Sequence, residues 1–453
     1  MTTVKVSSAA ELVDALAVGD NIEVDGSLAG MPMITLRPGV ALRGGTLRFG
    51  AKGVRLTSDN LLEDVTVIVP DWEVAIGNDT AIGDFGRLTL RNVRTRGQVL
   101  LLADGAVRRG HIDVDGLAVA SADLRGRPDR PHGFGVDALQ GAFTLWNRQA
   151  DPAVRITASL KGISAGTADS PIRGSGVFVA GHGDPAGRAD GGLVDADVLR
   201  TGPIVTDGGI EPGTPDLISG GVFVVSGARV AAVINDGPVT TMGANDMVLD
   251  NWGEVGAWTA RAPVTSHGPS GIGFVQFGTL DRLDVQAPVT THGVGARGFN
   301  VYDGSLDSAR FQSITTHADG AVGIQVSKDL PALDITDSVT TFGGRGTSLV
   351  RGRQIRLSAI AVSIQPGGRI GCLSVGGSLS THGDEVVTLD VEGVLGTLKV
   401  QQIAAAGVGS DAVHLTGEAG GLDEVTVTAA HGRPIVRRGS AKRRRSGGGA
   451  MSR

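Results

Sequence analysis

Three groups of residues carry side chains suited to chemistry. His267, His292 and His317 return at 25-residue intervals, a pattern that invites metal ligation. Tetrahedral zinc, with bonds of about 2.0–2.1 Å, needs converging nitrogens roughly 3.3 Å apart. Side chains stacked from successive strands instead run parallel at about 4.8 Å. Met242 and Phe342, which continue the same column, supply no ligand of that kind. A structural stack is therefore expected, with no metal and no cofactor.

Trp252, Phe277 and Tyr302 form a second 25-residue series, accompanied two positions earlier by Asp250, Val275 and Asn300, with Gln325 one interval on. An exposed aromatic row beside acid and amide groups suits a sugar ring, with its apolar face on the aromatic and its hydroxyls on the polar groups. A row covered by a loop, or a self-association surface, is the competing expectation. The third group sits between the regular segments. His132 and Asp137 have the types for an acid–base pair. Asp207, Glu211 and Asp216 have the types, though not the spacing, of a calcium loop.

What must position these residues is a repeat. PVTTMG at Pro238 returns as PVTSHG at Pro263, PVTTHG at Pro288, SITTHA at Ser313 and SVTTFG at Ser338, each 25 residues after the last. A fixed period of that size marks one supersecondary unit copied along an axis. Each unit holds three short apolar runs: from Pro263 these are Val264, Ile272 to Phe277, and Leu280 to Val285. Glycine and small polar residues separate them and supply the corners. An all-β, right-handed parallel β-helix with three-stranded coils follows, since crossovers between parallel strands are right-handed in nearly all cases. Leu249, Phe274, Phe299, Ile324 and Leu349 read as an inward column, which turns Trp252, Phe277 and Tyr302 outward.

The flanks of the repeat are also legible. Residues 1–20 predict a capping helix: Ser8 and Glu11 have capping-box spacing, and Leu12, Val13 and Leu16 form an apolar stripe over residues 8 to 17. The β-helix is expected over 21–436, with irregular, loop-bearing coils at 123–221 and regular coils from 238. Three long corners stand out at 125–152, 179–192 and 207–221. The count breaks once after Val339, by about 15 residues, before SLSTHG at Ser378.

The 71 glycines follow no triplet period, so collagen is excluded, and the 4% aromatic content suits a narrow interior of Val, Ile and Leu. The single cysteine, Cys372, allows no internal disulfide. The N-terminus has no uninterrupted apolar segment and carries Glu11, Asp14 and Asp20, so a soluble, cytoplasmic protein without membrane partners is expected. Residues 433–453 carry eight Arg or Lys and no acid, including Lys442 to Arg445. Removing those eight charges from the net −6 leaves about −14 on the body. Nucleic acid is thus not expected as a partner except through this basic tail, 437–453 of which is read as a disordered, solvated terminus.

The capping helix followed by ITLRPGVALRGGTLRFG (Ile34 to Gly50) resembles the opening of right-handed parallel β-helix proteins of the pectate-lyase-like superfamily, over residues 8 to 436 as architecture. Gly181-His182-Gly183 resembles the Gly-His-Gly element of the polygalacturonase family, with Asp184 following it, which makes His182 and Asp184 candidates on that resemblance. That family's adjacent Asp-Asp pair is missing, and Asn78-Asp79-Thr80 reverses its Asn-Thr-Asp order. The resemblance implies a carbohydrate-interacting protein, with lyase, hydrolase or epimerase activity as the enzymatic options. The other function class is a non-catalytic scaffold or self-assembling binding protein.

Overall fold

A computed structural model describes residues 3–350 and 353–437, without the side chains of 349 and 350. Short strands separated by corners wind into a parallel β-helix. The run Val264–Ser266, Ile272–Gln276 and Thr279–Val285 makes one coil. It stacks in register on Val289–Thr291, Arg297–Val301 and Ser305–Phe311, so that Val264 lies beside Val289 and Phe274 beside Phe299. Near the N-terminus the same stacking uses shorter coils, with Ala41 beside Leu61. Inward Val, Ile, Leu and Phe from every coil join one continuous core running from Val6 to Leu422. Each fully buried side chain of this size contributes roughly 1.5–3 kcal/mol.

The N-terminal end is lidded by helix α1 (Ala9–Val18), which buries Leu12, Ala15 and Leu16. The Ser8 side chain accepts the Glu11 N–H at 3.2 Å, while the Glu11 carboxylate accepts from the Ser7 N–H at 2.7 Å. One expectation changes here: Val13 is 51% exposed, with Ala15 taking its inward place. The Arg37 guanidinium closes the far end of the helix by donating to the Leu16 and Gly19 carbonyls.

One flank of the coil is built differently from the rest. Its sheet runs in parallel through Gln98–Ala103, Gly141–Asn147, Ser175–Ala180, Leu217–Val224, Asp246–Asn251, Ile272–Gln276 and Arg297–Val301. Two of the expected long corners are therefore shorter than their sequences suggest, because Gly141–Asn147 and Leu217–Val224 are coil strands. The chain that leaves the coil is confined to about residues 125–140, 181–192 and 207–216. The first forms a small antiparallel hairpin, His132–Gly133 against Val136–Ala138.

The break in the count after Val339 is also a hairpin, Arg345–Val350 against Arg353–Ser358. Leu349 belongs to it, and the inward column passes from Ile324 to Val362 instead. The expectation of Leu349 as a column member fails because a constant 25-residue step carries no information about an inserted element. The basic run Lys442 to Arg445 lies outside the described residues. Among the described residues, no helix is long and apolar enough to cross a membrane.

Candidate functional site

All three excursions return to the same flank and stand over its outward-facing side chains. Strand alternation puts Val177 and Val179 in the core and turns Phe178 and Ala180 out. In the next strands it likewise turns out Phe223, Val225 and Val275, while Met247 and Ile272, near the strand starts and out of that phase, join the same outer side. With Trp252 these form a second hydrophobic cluster outside the coil, against which Phe134, Val136, Phe277 and Tyr302 pack.

The aromatic series is where the repeat places it: Phe277 and Tyr302 stack 5.1 Å apart with planes at 15°, and Trp252 meets Phe277 edge-on at 6.4 Å. It is not an open row. Phe134 stacks on Phe277 at 4.5 Å and meets Trp252 edge-on at 5.5 Å, which leaves Trp252 3% exposed. The residue that does this sits in the two-residue turn Phe134-Gly135, where φ is +54° and +84°. Positive φ at both central positions is the turn that matches hairpin twist. A Phe in that region costs about 1–2 kcal/mol relative to Gly. The close fit also requires two glycines, since a Cβ at Gly133 would lie 3.0 Å from the Trp252 ring and one at Gly187 would strike the Phe134 ring.

The hairpin divides the flank into two clefts. The first, of about 370 Å³, is lined by Phe134, Val136, Ile218, Met247, Trp252, Tyr302 and others, and Asp250 contributes to it. Asp250 is wholly buried. Neither of its carboxylate oxygens has a hydrogen-bond partner, nor does the Trp252 indole N–H. Burial pushes its pKa well above the carboxylate range, and the pull of the Trp252 side chain is too weak to offset this. Asn300, two rungs along the same outward column, likewise leaves both amide atoms unpartnered. Gln325, one rung further, is half-buried.

The second cleft, of about 450 Å³, is polar. It is lined by Asp129, Arg130, His132, Trp146, Arg148 and His182, with Gly181, Gly183 and Ser226. Two His–Asp pairs meet it: His132 Nδ1 lies 2.7 Å from Asp137 Oδ1, and His182 Nδ1 lies 2.6 Å from Asp190 Oδ1. In each pair the carboxylate holds one ring nitrogen and leaves Nε2 as the working atom. The Arg148 guanidinium lies 5.0 Å over the Trp146 ring and pairs with Asp129 at 2.9 Å.

The remaining sequence candidates separate. Asp184 is spent on its own loop, accepting from the Arg188 backbone and guanidinium, and its pKa is held low chiefly by that backbone bond. Asp207 pairs with Arg173 and accepts from the Gly209 N–H, while Glu211 and Asp216 are exposed. The three do not cluster, and among the described residues no group of three or more acidic, His or Cys side chains converges. The imidazoles of His267, His292 and His317 stack face to face at 4.7–4.8 Å, and Phe342 and His382 extend the file.

Sequence reasoning missed Phe134, Trp146, Arg148, Asp190 and Asp246. Only Asp246 left a trace, as a carboxylate in a column otherwise filled by Gly271, Ala296 and Ala321. It is buried and accepts from the Ser219 hydroxyl and the Gly243 N–H, and the Gly208 backbone also bonds to it, tying the 207–216 loop to the coil. A shallower groove of about 480 Å³ on another sheet, bordered by Asp195, Arg229 and Glu254, has these charges paired: Arg155 with Asp195, and Arg229 with Glu254. No protein-family model, curated protein or solved structure matches the chain.

Proposed function

We propose that this parallel β-helix binds an oligosaccharide in the polar cleft between the 125–140 hairpin and the 181–192 loop, and performs acid–base chemistry on it. The observation that supports this reading is the pair of carboxylate-held imidazoles, His132 and His182, on one cleft beside Trp146 and Arg148. A groove walled by loops on one flank is what a ligand-handling solenoid needs, whereas a scaffold needs only regular faces. The resemblance to the pectate-lyase-like superfamily points to the same ligand class.

Aromatic surface and fork-shaped donors suit a sugar bearing carboxylates, which Arg130 and Arg148 can hold. Nε2 of one imidazole then removes a proton and Nε2 of the other returns one, a contribution typically worth about 10²–10⁴-fold in rate. A glycan array followed by product analysis tests this. Binding is expected, and His132→Gln and His182→Gln are each expected to keep binding while turnover falls by roughly 10²-fold or more. No glycan bound at all would remove the reading in favour of a non-catalytic scaffold. Binding with turnover unchanged in both variants would remove the assigned chemistry.

A further inference from the structure

The smaller cleft lies on the other side of the hairpin and calls for a different ligand. Its walls are apolar and aromatic: Phe134 roofs it, Trp252 stands nearly perpendicular to Phe134 and Phe277 at 78°, and Tyr302 ends the file. Against this lining stands a single wholly buried acid, Asp250, with both oxygens unpartnered. A buried carboxyl group without a partner is costly, and a fold keeps one when something else completes it. That partner must present N–H donors to the carboxylate. It must also tolerate aromatic faces, which attract cations through their quadrupoles.

We propose that this cleft binds a protonated amine carried on a small apolar body, with the Asp250 carboxylate as its counter-ion and Phe134, Trp252 and Tyr302 as its walls. Other charges at the cleft do not compete for the amine. Asp303 is held by the Lys328 ammonium at 2.8 Å, and the His132–Asp137 pair on the same hairpin meets the neighbouring cleft through its imidazole. The Tyr302 phenol is the remaining titratable group on the lining. Phe134 adds a second sign of a built site, since its backbone is held in a conformation that disfavours it in order to close the roof. The inference is independent of the oligosaccharide reading, because it concerns a different cleft and no sugar is used to test it.

Ligand binding also moves a proton. Burial favours the protonated form of Asp250 and an ammonium beside it favours the carboxylate, so formation of the ion pair is expected to release the carboxyl proton to the buffer. The experiment is titration calorimetry on the full chain at pH 7.5 with 2-phenylethylamine, which is cationic there, and with its neutral counterpart 2-phenylethanol. The amine is expected to bind at least tenfold more tightly than the alcohol, and Asp250→Asn is expected to abolish that difference. The apparent enthalpy of amine binding should change between phosphate and Tris, which differ in heat of protonation, and should not change in the variant. Equal affinity for the two probes, no binding by either, or undiminished amine binding by Asp250→Asn would each overturn the proposal. Should the variant fail to fold, the wild-type buffer dependence decides alone, and its absence overturns the assignment.

Discussion

Two buried aspartates four residues apart meet opposite fates. Asp246 is raised to about 6, first by burial, with bonds from Ser219, Gly243 and Gly208 pulling back. Asp250 is raised by burial with only the Trp252 side chain pulling back. An acid whose pKa is higher folded than unfolded binds more protons in the native state, so its linkage makes stability fall as pH rises from about 4 through about 6. A shift of about two units corresponds to roughly 3 kcal/mol. Relative to Asp246→Asn, wild-type protein should therefore lose roughly 2–3 kcal/mol between pH 4 and pH 6.5, read from urea unfolding. A constant difference across that range would show that Asp246 does not titrate in the fold. His292 works in the opposite sense: burial first, and then the charges of His267 and His317, lower its pKa. Its linkage makes stability fall as pH drops below about 6.5, the reason for comparing two variants rather than reading one pH profile. Of the two acids, only Asp250 was legible in the sequence, because it shares a phase with Asn300 and Gln325. Asp246 sits where its column mates are Gly or Ala, and only the loop that bonds to it explains the acid.

Elements that leave the coil decide which repeat positions meet solvent. Alternation along the strands correctly turned Trp252, Phe277 and Tyr302 away from the core, since a two-residue period is set by the backbone alone. What covers them was not legible, because the hairpin at His132–Ala138 lies more than 100 residues upstream of Trp252 and is placed by tertiary contact. Its hold on the flank is modest: the Asp137 N–H bonds the Asp216 carbonyl, the Leu139 N–H bonds the Ile218 carbonyl, and the Phe134 ring packs on Trp252 and Phe277. Phe134→Ala removes the ring and keeps the strained turn, whereas Phe134→Gly removes both. Loss of a partly buried Phe should weaken docking by roughly 1–3 kcal/mol, and the Gly variant should regain about 1 kcal/mol of that within the turn. Limited proteolysis within 125–140 should accelerate in both variants, more in Phe134→Ala, with the global melting temperature little changed. Equal resistance of wild type and Phe134→Ala would mean that the ring does not hold the hairpin down.

At the scale of the whole chain, the repeat made columns legible wherever the step held, and the error at Leu349 shows where that logic ends. The column Val339 to Leu379 spans 40 residues and Ile324 to Val362 spans 38, against 25 for Val264 to Val289. The excess at this corner is 13 residues, and the hairpin Arg345–Ser358 accounts for it. Its two ends are already neighbours, since Arg345 pairs with Ser358 and the Ala359 N–H bonds the Gly344 carbonyl at 3.0 Å. A solenoid gains stability from strand pairing between adjacent coils, so an appended hairpin whose strands pair only with each other adds little to the stack. Deleting residues 345–357 and joining Gly344 to Ser358 should return the corner to regular length and leave the coil intact. The hairpin also buries Arg297, whose Nε and Nη2 have no partner beneath it. Its removal returns that guanidinium to water, which offsets loss of the bond that Arg297 donates to the Ser348 hydroxyl and of the one that this hydroxyl donates to the Gly295 carbonyl. The shortened chain should give an unchanged β-sheet circular dichroism spectrum and a melting temperature within a few degrees of wild type. Aggregation, or loss of the cooperative transition, would show instead that the hairpin fixes the register between the coils at Ile324 and Val362, and that the 25-residue step is not self-sufficient there.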